Sequence, residues 1–193
     1  RIPENTPAAA LAGLRAEAED VSETLWGRTT SIEVVEAGPL RAEICLRGFF
    51  GPDSEKAERV ARIVAYRGKP HLSLSLTWVN RRDPEEHVIG DLALVIPLRD
   101  GRRASAAMDG KPHALGAGGH IWQKGPHASV AGGVEGKRWG GWADAGGILL
   151  ALRKHWQNYP TGFELAKNGN AVLHLWDGGG ERVLEIGTGS GDQ

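Results

Sequence analysis

Cysteine is almost missing from this chain of 193 residues: Cys45 stands alone, which excludes an intrachain disulfide and any metal site built from several thiolates. Its place inside the run RAEICLRGFF makes it a packing residue. Charge of one sign is missing as well. Lys plus Arg number 23 against 24 for Asp plus Glu, a net charge of -1, so no overall field draws the chain to nucleic acid or to an anionic membrane surface. No apolar run approaches the roughly 20 residues that span a bilayer. There is no visible signal peptide and no internal repeat. The chain begins at Arg1, has Met108 as its one methionine and ends in a glycine-rich tail. It therefore reads as an excised piece of a longer protein, from which a targeting segment can have been cut away. Close metal-ligand spacing is absent too. His113, His120 and His127 recur at intervals of seven with no carboxylate at ligand distance, so neither a metal nor a cofactor is expected.

What the chain does have is alternation. Ser31–Ala37, Leu40–Phe50, Glu58–Arg67 and His71–Asn80 each repeat apolar residues with period two, separated by turn residues such as Gly38-Pro39. The apolar run in Val88–Leu98 predicts a strand buried on both sides, ending near Pro97. Between Arg99 and Lys137 glycine is dense, and only short strands are expected, around 104–108, 120–123 and 128–131. Asn168-Gly169 between two alternating runs predicts a hairpin, and Arg182–Ile186 a last strand. Residues 7–19 are either a helix or an extended leader. The expected fold is all-β, a large antiparallel sandwich of the supersandwich kind with few short helices. Its expected core contains Leu72, Leu74, Leu76, Trp78, Leu92, Leu94, Ile96, Leu150 and Leu152. Residues 1–30 read as a leader or linker, 31–187 as the sandwich, and 188–193 as a truncated linker.

Chemistry concentrates in Arg138–Pro160, RWGGWADAGGILLALRKHWQNYP. Trp142 and Trp156 offer flat apolar faces, while Arg138, Arg153 and His155 offer donors and Gln157 and Tyr159 polar groups. Residues 148–156 have the length and apolar content of a central buried strand whose end emerges at a site. In such a strand Arg153, His155 and Gln157 share one face and Lys154 and Trp156 the other. The C-terminal RVLEIGTGSGDQ is a separate signal. A strand entering Gly-x-Gly-x-Gly is the opening motif of a methyltransferase, but the helix and acidic residue that complete such a site do not follow it.

The run from Glu36 to Trp176 resembles the central β-sandwich domain of the exo-rhamnogalacturonan lyase family (the PcRGLX/YetA-like proteins). The stretches that carry the likeness are EAGPLRAEICLRG, LSLTWVN, IGDLALVIPL, IWQKGP, GGWADAGGILLALRKHWQNYPTGFEL and AVLHLW. The resemblance implies a three-part parent, exported from a bacterium, with an N-terminal β domain and a C-terminal α/α toroid flanking this sandwich. It also implies β-elimination on a uronate-containing glycan, with the chain inactive alone. That chemistry needs a cation for the carboxylate, a base for the C5 proton and an acid for the leaving oxygen. His155 and Tyr159 are the candidates for proton transfer. Arg153, Arg138, Trp142, Trp156, Gln123 and Gln157 are the candidates for holding an acidic oligosaccharide. A non-catalytic carbohydrate-binding or scaffolding module of the same ancestry is the alternative, and a methyltransferase fragment the third reading.

Overall fold

Apolar residues at every second position fall on one side of an extended strand, and tight turns between such runs fold strand back on strand. The computed structural model describes residues 13–18, 21–50, 57–81, 89–99, 101–130, 133–158 and 160–177. These form strands and turns, with no helix among the described residues. The strands are β1 (Gly13–Ala18), β2 (Val21–Ala37), β3 (Arg41–Phe50), β4 (Ala57–Tyr66), β5 (Leu72–Asn80), β6 (Ile89–Ile96), β7 (Arg103–Met108) and β8 (Lys111–Gly116). They continue as β9 (Gly119–Lys124), β10 (His127–Val130), β11 (Val134–Gly136), β12 (Trp139–Ala145), β13 (Ile148–Ala151), β14 (Thr161–Leu165) and β15 (Ala171–Asp177). The chain divides into two compact units, with boundaries at Ser22/Glu23 and His87/Val88.

The larger unit is an antiparallel β-sandwich. One sheet runs β11-β10-β9-β14-β15-β6-β1 and the other β13-β12-β7-β8. They face each other where β12 lies over β14 and β9, β7 over β14, and β8 over β9. Ile121, Phe163 and Leu165 from the first sheet and Trp139, Ala143, Ala145 and Ala106 from the second are completely buried there. The second sheet supplies several alanines, so its largest buried side chain, Trp139, together with Met108 and Leu115, fills much of the space between layers. As the unbroken apolar run predicts, Leu92, Ala93, Leu94 and Val95 of β6 are all buried, and Pro97 lies just past the strand. The Asn168-Gly169 hairpin is present as well, with the Asn168 side chain accepting from the Asn170 N–H at 3.1 Å.

The smaller unit is one antiparallel sheet, β2-β3-β4-β5, and it corrects the expected core. The register places Leu46 opposite Ile32 and Ala61, Ile44 opposite Val34 and Ile63, and Leu74 opposite Ile63, so an apolar face crosses all four strands. Yet Leu72 is 69% exposed and Leu74 44%, and Leu76 and Trp78 are only partly buried. Alternation identifies side chains that share a face; whether that face is covered depends on what packs over it. Toward its other end the same face is closed, with Leu46 and Ala61 buried. Cys45 is buried, in keeping with a packing role.

Three further expectations need correction or lie elsewhere. Residues 148–156 are not a central buried strand. β13 stops at Ala151 and forms the edge of its sheet, with Leu149 67% exposed and Leu150 and Leu152 only partly buried. Of the ambiguous stretch 7–19, residues 13–18 are a strand that pairs with β6. Arg182–Ile186 and the C-terminal glycine run lie outside the described residues.

Candidate functional site

The cause of β13's early end lies one strand away. Between Trp139 and Ala143, β12 advances four residues while its partner β7 advances two, a bulge centred on Gly140 and Gly141. Gly141 has φ +72, and a Cβ placed on it would lie 2.2 Å from Nδ1 of His155. Glycine is required there on both counts. The bulge turns the Gly141 carbonyl toward the N–H of Leu152, which donates to it at 2.7 Å. After that bond the chain leaves the sheet as a series of turns, with Lys154 at φ 55 and the N–H of Gln157 donating to the Lys154 carbonyl at 2.9 Å.

These turns lay residues 155–157 beside the start of β12. The Nε2 of His155 lies 2.6 Å from the Trp139 carbonyl. A carbonyl can only accept, so Nε2 carries the proton and donates. The imidazole also meets the Trp139 indole edge to face at 5.5 Å, and the His155 carbonyl accepts from the Thr161 hydroxyl at 3.2 Å. Trp156 turns outward, 46% exposed, and the Arg138 guanidinium carbon stands 5.1 Å from its ring centre.

Two side chains fix the opposite wall. Gln123 is buried, and its amide nitrogen donates to the carbonyls of Gly125 at 2.8 Å, His127 at 3.1 Å and Lys137 at 3.3 Å. Its amide oxygen accepts from the Trp139 N–H at 2.8 Å. Asp109 occupies the two-residue turn between β7 and β8, where Asp109 and Gly110 have φ 52 and 76, as a type I′ hairpin demands. Its carboxylate accepts from the N–H groups of Lys137 and Arg138, both at 2.9 Å, and its own N–H donates to the Arg138 carbonyl at 2.8 Å. The bond from the Lys137 N–H, with further help from Arg138, holds the Asp109 carboxyl below its usual value despite some desolvation.

The result is an open cleft of about 1200 Å³. Five of the residues singled out from sequence meet on its lining: Arg138, Gln123, His155, Trp156 and Gln157. Trp142 and Arg153 do not line it, and Tyr159 lies outside the described residues. The expected shared face of Arg153 and His155 is absent because both sit in the turns beyond β13. Conversely His155, Trp156 and Gln157, consecutive residues that a strand would send to alternate sides, all reach the cleft. Gln123 is spent on backbone groups and acts as a strut. Sequence reasoning passed over Asp109, Lys137 and the part played by His127, which also lines the cleft. The Asp109-Gly110 pair between two runs carried a hairpin signal that would have marked the turn, though not its bond to residues 137 and 138.

Lys137 and Arg138 are the strong cations of the lining; among the described residues neither side chain forms a close ion pair, although the Asp109 carboxylate attracts both. Asp109 is the lining's one carboxylate, and both its oxygens are taken by backbone N–H groups. Among the described residues no group of three or more His, Cys, Asp or Glu is arranged to hold a metal ion. A cationic rim beside an exposed indole suits a flat or ring-shaped ligand that carries negative charge and hydrogen-bonding groups. Fold and site together define an all-β sandwich protein with an open cleft lined by two cations and an exposed indole. No protein-family model, no curated protein and no solved structure matches the chain.

Proposed function

We propose that this chain is the central β-sandwich of a polysaccharide lyase-like protein acting on uronate-containing glycans, and that its own share of the work is to hold the acidic sugar. The observation that carries the reading is the Arg138–Trp156 stack beside Lys137 on the cleft wall. A uronate ring has an apolar C–H face for an indole and a carboxylate for a guanidinium fork. In β-elimination the C5 proton passes to a base, the C4–O bond breaks, a C4–C5 double bond forms, and the departing oxygen takes up a proton. A cation on the carboxylate stabilises the charge that develops at C5. Lys137 and Arg138 supply that cation here, and the domains that the sequence resemblance places on either side complete the machinery.

The non-catalytic reading has its own support. His155, the sequence candidate for the base, has Nε2 bound to the Trp139 carbonyl and Nδ1 against Gly141, so neither nitrogen faces the cleft freely. In this chain its role is to shape the wall. Calorimetric titration with oligogalacturonates and rhamnogalacturonan fragments tests the proposal, together with ultraviolet absorbance of unsaturated uronate. Binding without efficient turnover by this chain is the expected result. Failure to bind any acidic oligosaccharide refutes the reading, and robust turnover by the chain alone refutes the division of labour.

A further inference from the structure

Three successive backbone N–H groups are pinned at the cleft wall by side chains from two different sheets. Those of Lys137 and Arg138 are held by Asp109, from the turn between β7 and β8, and that of Trp139 by Gln123 of β9. The carbonyls of residues 137 and 138 are tied back to the same two residues, Lys137 to Gln123 and Arg138 to Asp109. A segment preceding a strand is ordinarily free to shift; this one is fixed at five backbone atoms. Its neighbour inward, Trp139, is fully buried and anchors it from below.

We propose that this pinned segment is a preformed carboxylate subsite, with Lys137 and Arg138 as the specificity-determining residues for acidic over neutral sugars and Asp109 as the positioning residue that sets them. The inference rests on the reading of the cleft as a glycan site and names which part of it selects charge. Two cations on a fixed base lose less freedom on meeting an anion than two on a mobile loop. Arg138 is further restrained by its stack on Trp156, which leaves its fork of N–H donors for a ligand. Asp109 holds the segment through its backbone, each carboxylate oxygen accepting from an N–H, while its charge also attracts the Lys137 and Arg138 side chains and keeps them on this side of the cleft. A uronate residue meets both the indole and the cations; a neutral sugar meets the indole alone.

The test is isothermal titration of the full chain with trigalacturonate and, separately, with galactotriose. Wild type should prefer the acidic trimer, and the preference should shrink as ionic strength rises. Lys137→Ala and Arg138→Ala, both at exposed positions, should each weaken trigalacturonate binding by about tenfold, the range expected for a charge-assisted contact. Galactotriose binding should stay unchanged in Lys137→Ala; in Arg138→Ala, which also uncovers the Trp156 ring, the readout is a smaller ratio of acidic to neutral trimer affinity. Lys167→Ala, exposed in the turn after β14, controls for loss of a positive charge. Asp109→Ala should lower the acidic preference although both cations remain, and Asp109→Asn, which keeps an acceptor oxygen, should restore part of it. If Asp109→Ala fails to fold, the two cation variants decide alone. Binding of trigalacturonate that is unaltered in Lys137→Ala and Arg138→Ala overturns this inference and leaves the glycan reading standing. No binding of either trimer by wild type removes both.

Discussion

Replacing Gly141 with alanine tests whether the bulge in β12 exists to admit His155. The new Cβ would fall 2.2 Å from His155 Nδ1 and 2.7 Å from its Cε1 and Cγ, so the ring must leave. Three losses follow. Alanine in the left-handed region, at φ +72, costs about 1–2 kcal/mol. Withdrawal of the imidazole strands the carbonyl of the fully buried Trp139, worth about 1–3 kcal/mol. The edge-to-face contact with the Trp139 ring adds about 0.5–1.5 kcal/mol. Partial relaxation makes about 3–5 kcal/mol the expected loss, read by urea denaturation. Gly147→Ala is the matched control, since Gly147 has φ +80 with nothing within 4 Å of a Cβ; it should cost only the backbone share of about 1–2 kcal/mol. The decisive measurement is the same Gly141→Ala change in a His155→Ala background. With the ring gone the collision vanishes, and Gly141→Ala should then cost about as much as Gly147→Ala. A coupling of at least about 1.5 kcal/mol between the two sites is expected. Additivity within about 0.5 kcal/mol would refute the reasoning.

Asp109 makes a prediction in pH. Its folded value lies below the usual 3.8, so its contribution to stability is complete above 3.8 and is lost as pH falls through the depressed value. Acid unfolding of wild type should therefore be steeper below that point than that of Asp109→Asn, and parallel acid titrations of the two would expose an error in the assignment. Arg59 is buried; among the described residues its guanidinium donates to the Thr29 hydroxyl at 2.7 Å, and its Nε is unsatisfied. Arg59→Met keeps the stem and removes the costly head, so stability should hold or rise by about 1–2 kcal/mol; a loss above about 1 kcal/mol counts against this. In the sandwich, Leu165→Ala should cost about 2–5 kcal/mol, since Leu165 is completely buried. Leu72→Ala, at a position 69% exposed, should stay within about 0.5 kcal/mol of wild type. Equal losses at the two leucines would mean that the face of the smaller sheet is covered in solution.

The contrast between those two leucines marks how far the sequence reaches. Period-two alternation gave strand positions and shared faces correctly for β3, β4 and β5, because both follow from backbone geometry alone. Coverage is a property of layers, and a layer is assembled from strands distant in sequence. The run in β6 escaped this difficulty, since a strand with apolar residues on both sides must be buried on both. Residues 148–156 did not escape it. Their composition suits a buried strand, but the chain leaves the sheet where the Gly141 carbonyl captures the Leu152 N–H, and nothing within residues 148–156 themselves signals that capture.

The site was legible in part for a related reason. Arg138, His155, Trp156 and Gln157 lie close in sequence, on either side of the β12–β13 hairpin, and a hairpin brings its two ends together whatever its exact length. Their clustering therefore survived the error about the strand, while the argument about which side each faced did not. Asp109 was hidden because its partners stand 28 and 29 residues away and are backbone N–H groups, which carry no mark in the sequence. Asp109 thus fixes the backbone that carries Lys137 and Arg138 while itself lining the cleft. A search for charge-matching side chains would read Asp109 as opposing an anionic ligand, since it adds negative charge to the cleft wall. Its hydrogen bonds add a second role: each oxygen accepts from a backbone N–H, so the carboxylate fixes the segment that carries Lys137 and Arg138 as well as attracting their side chains.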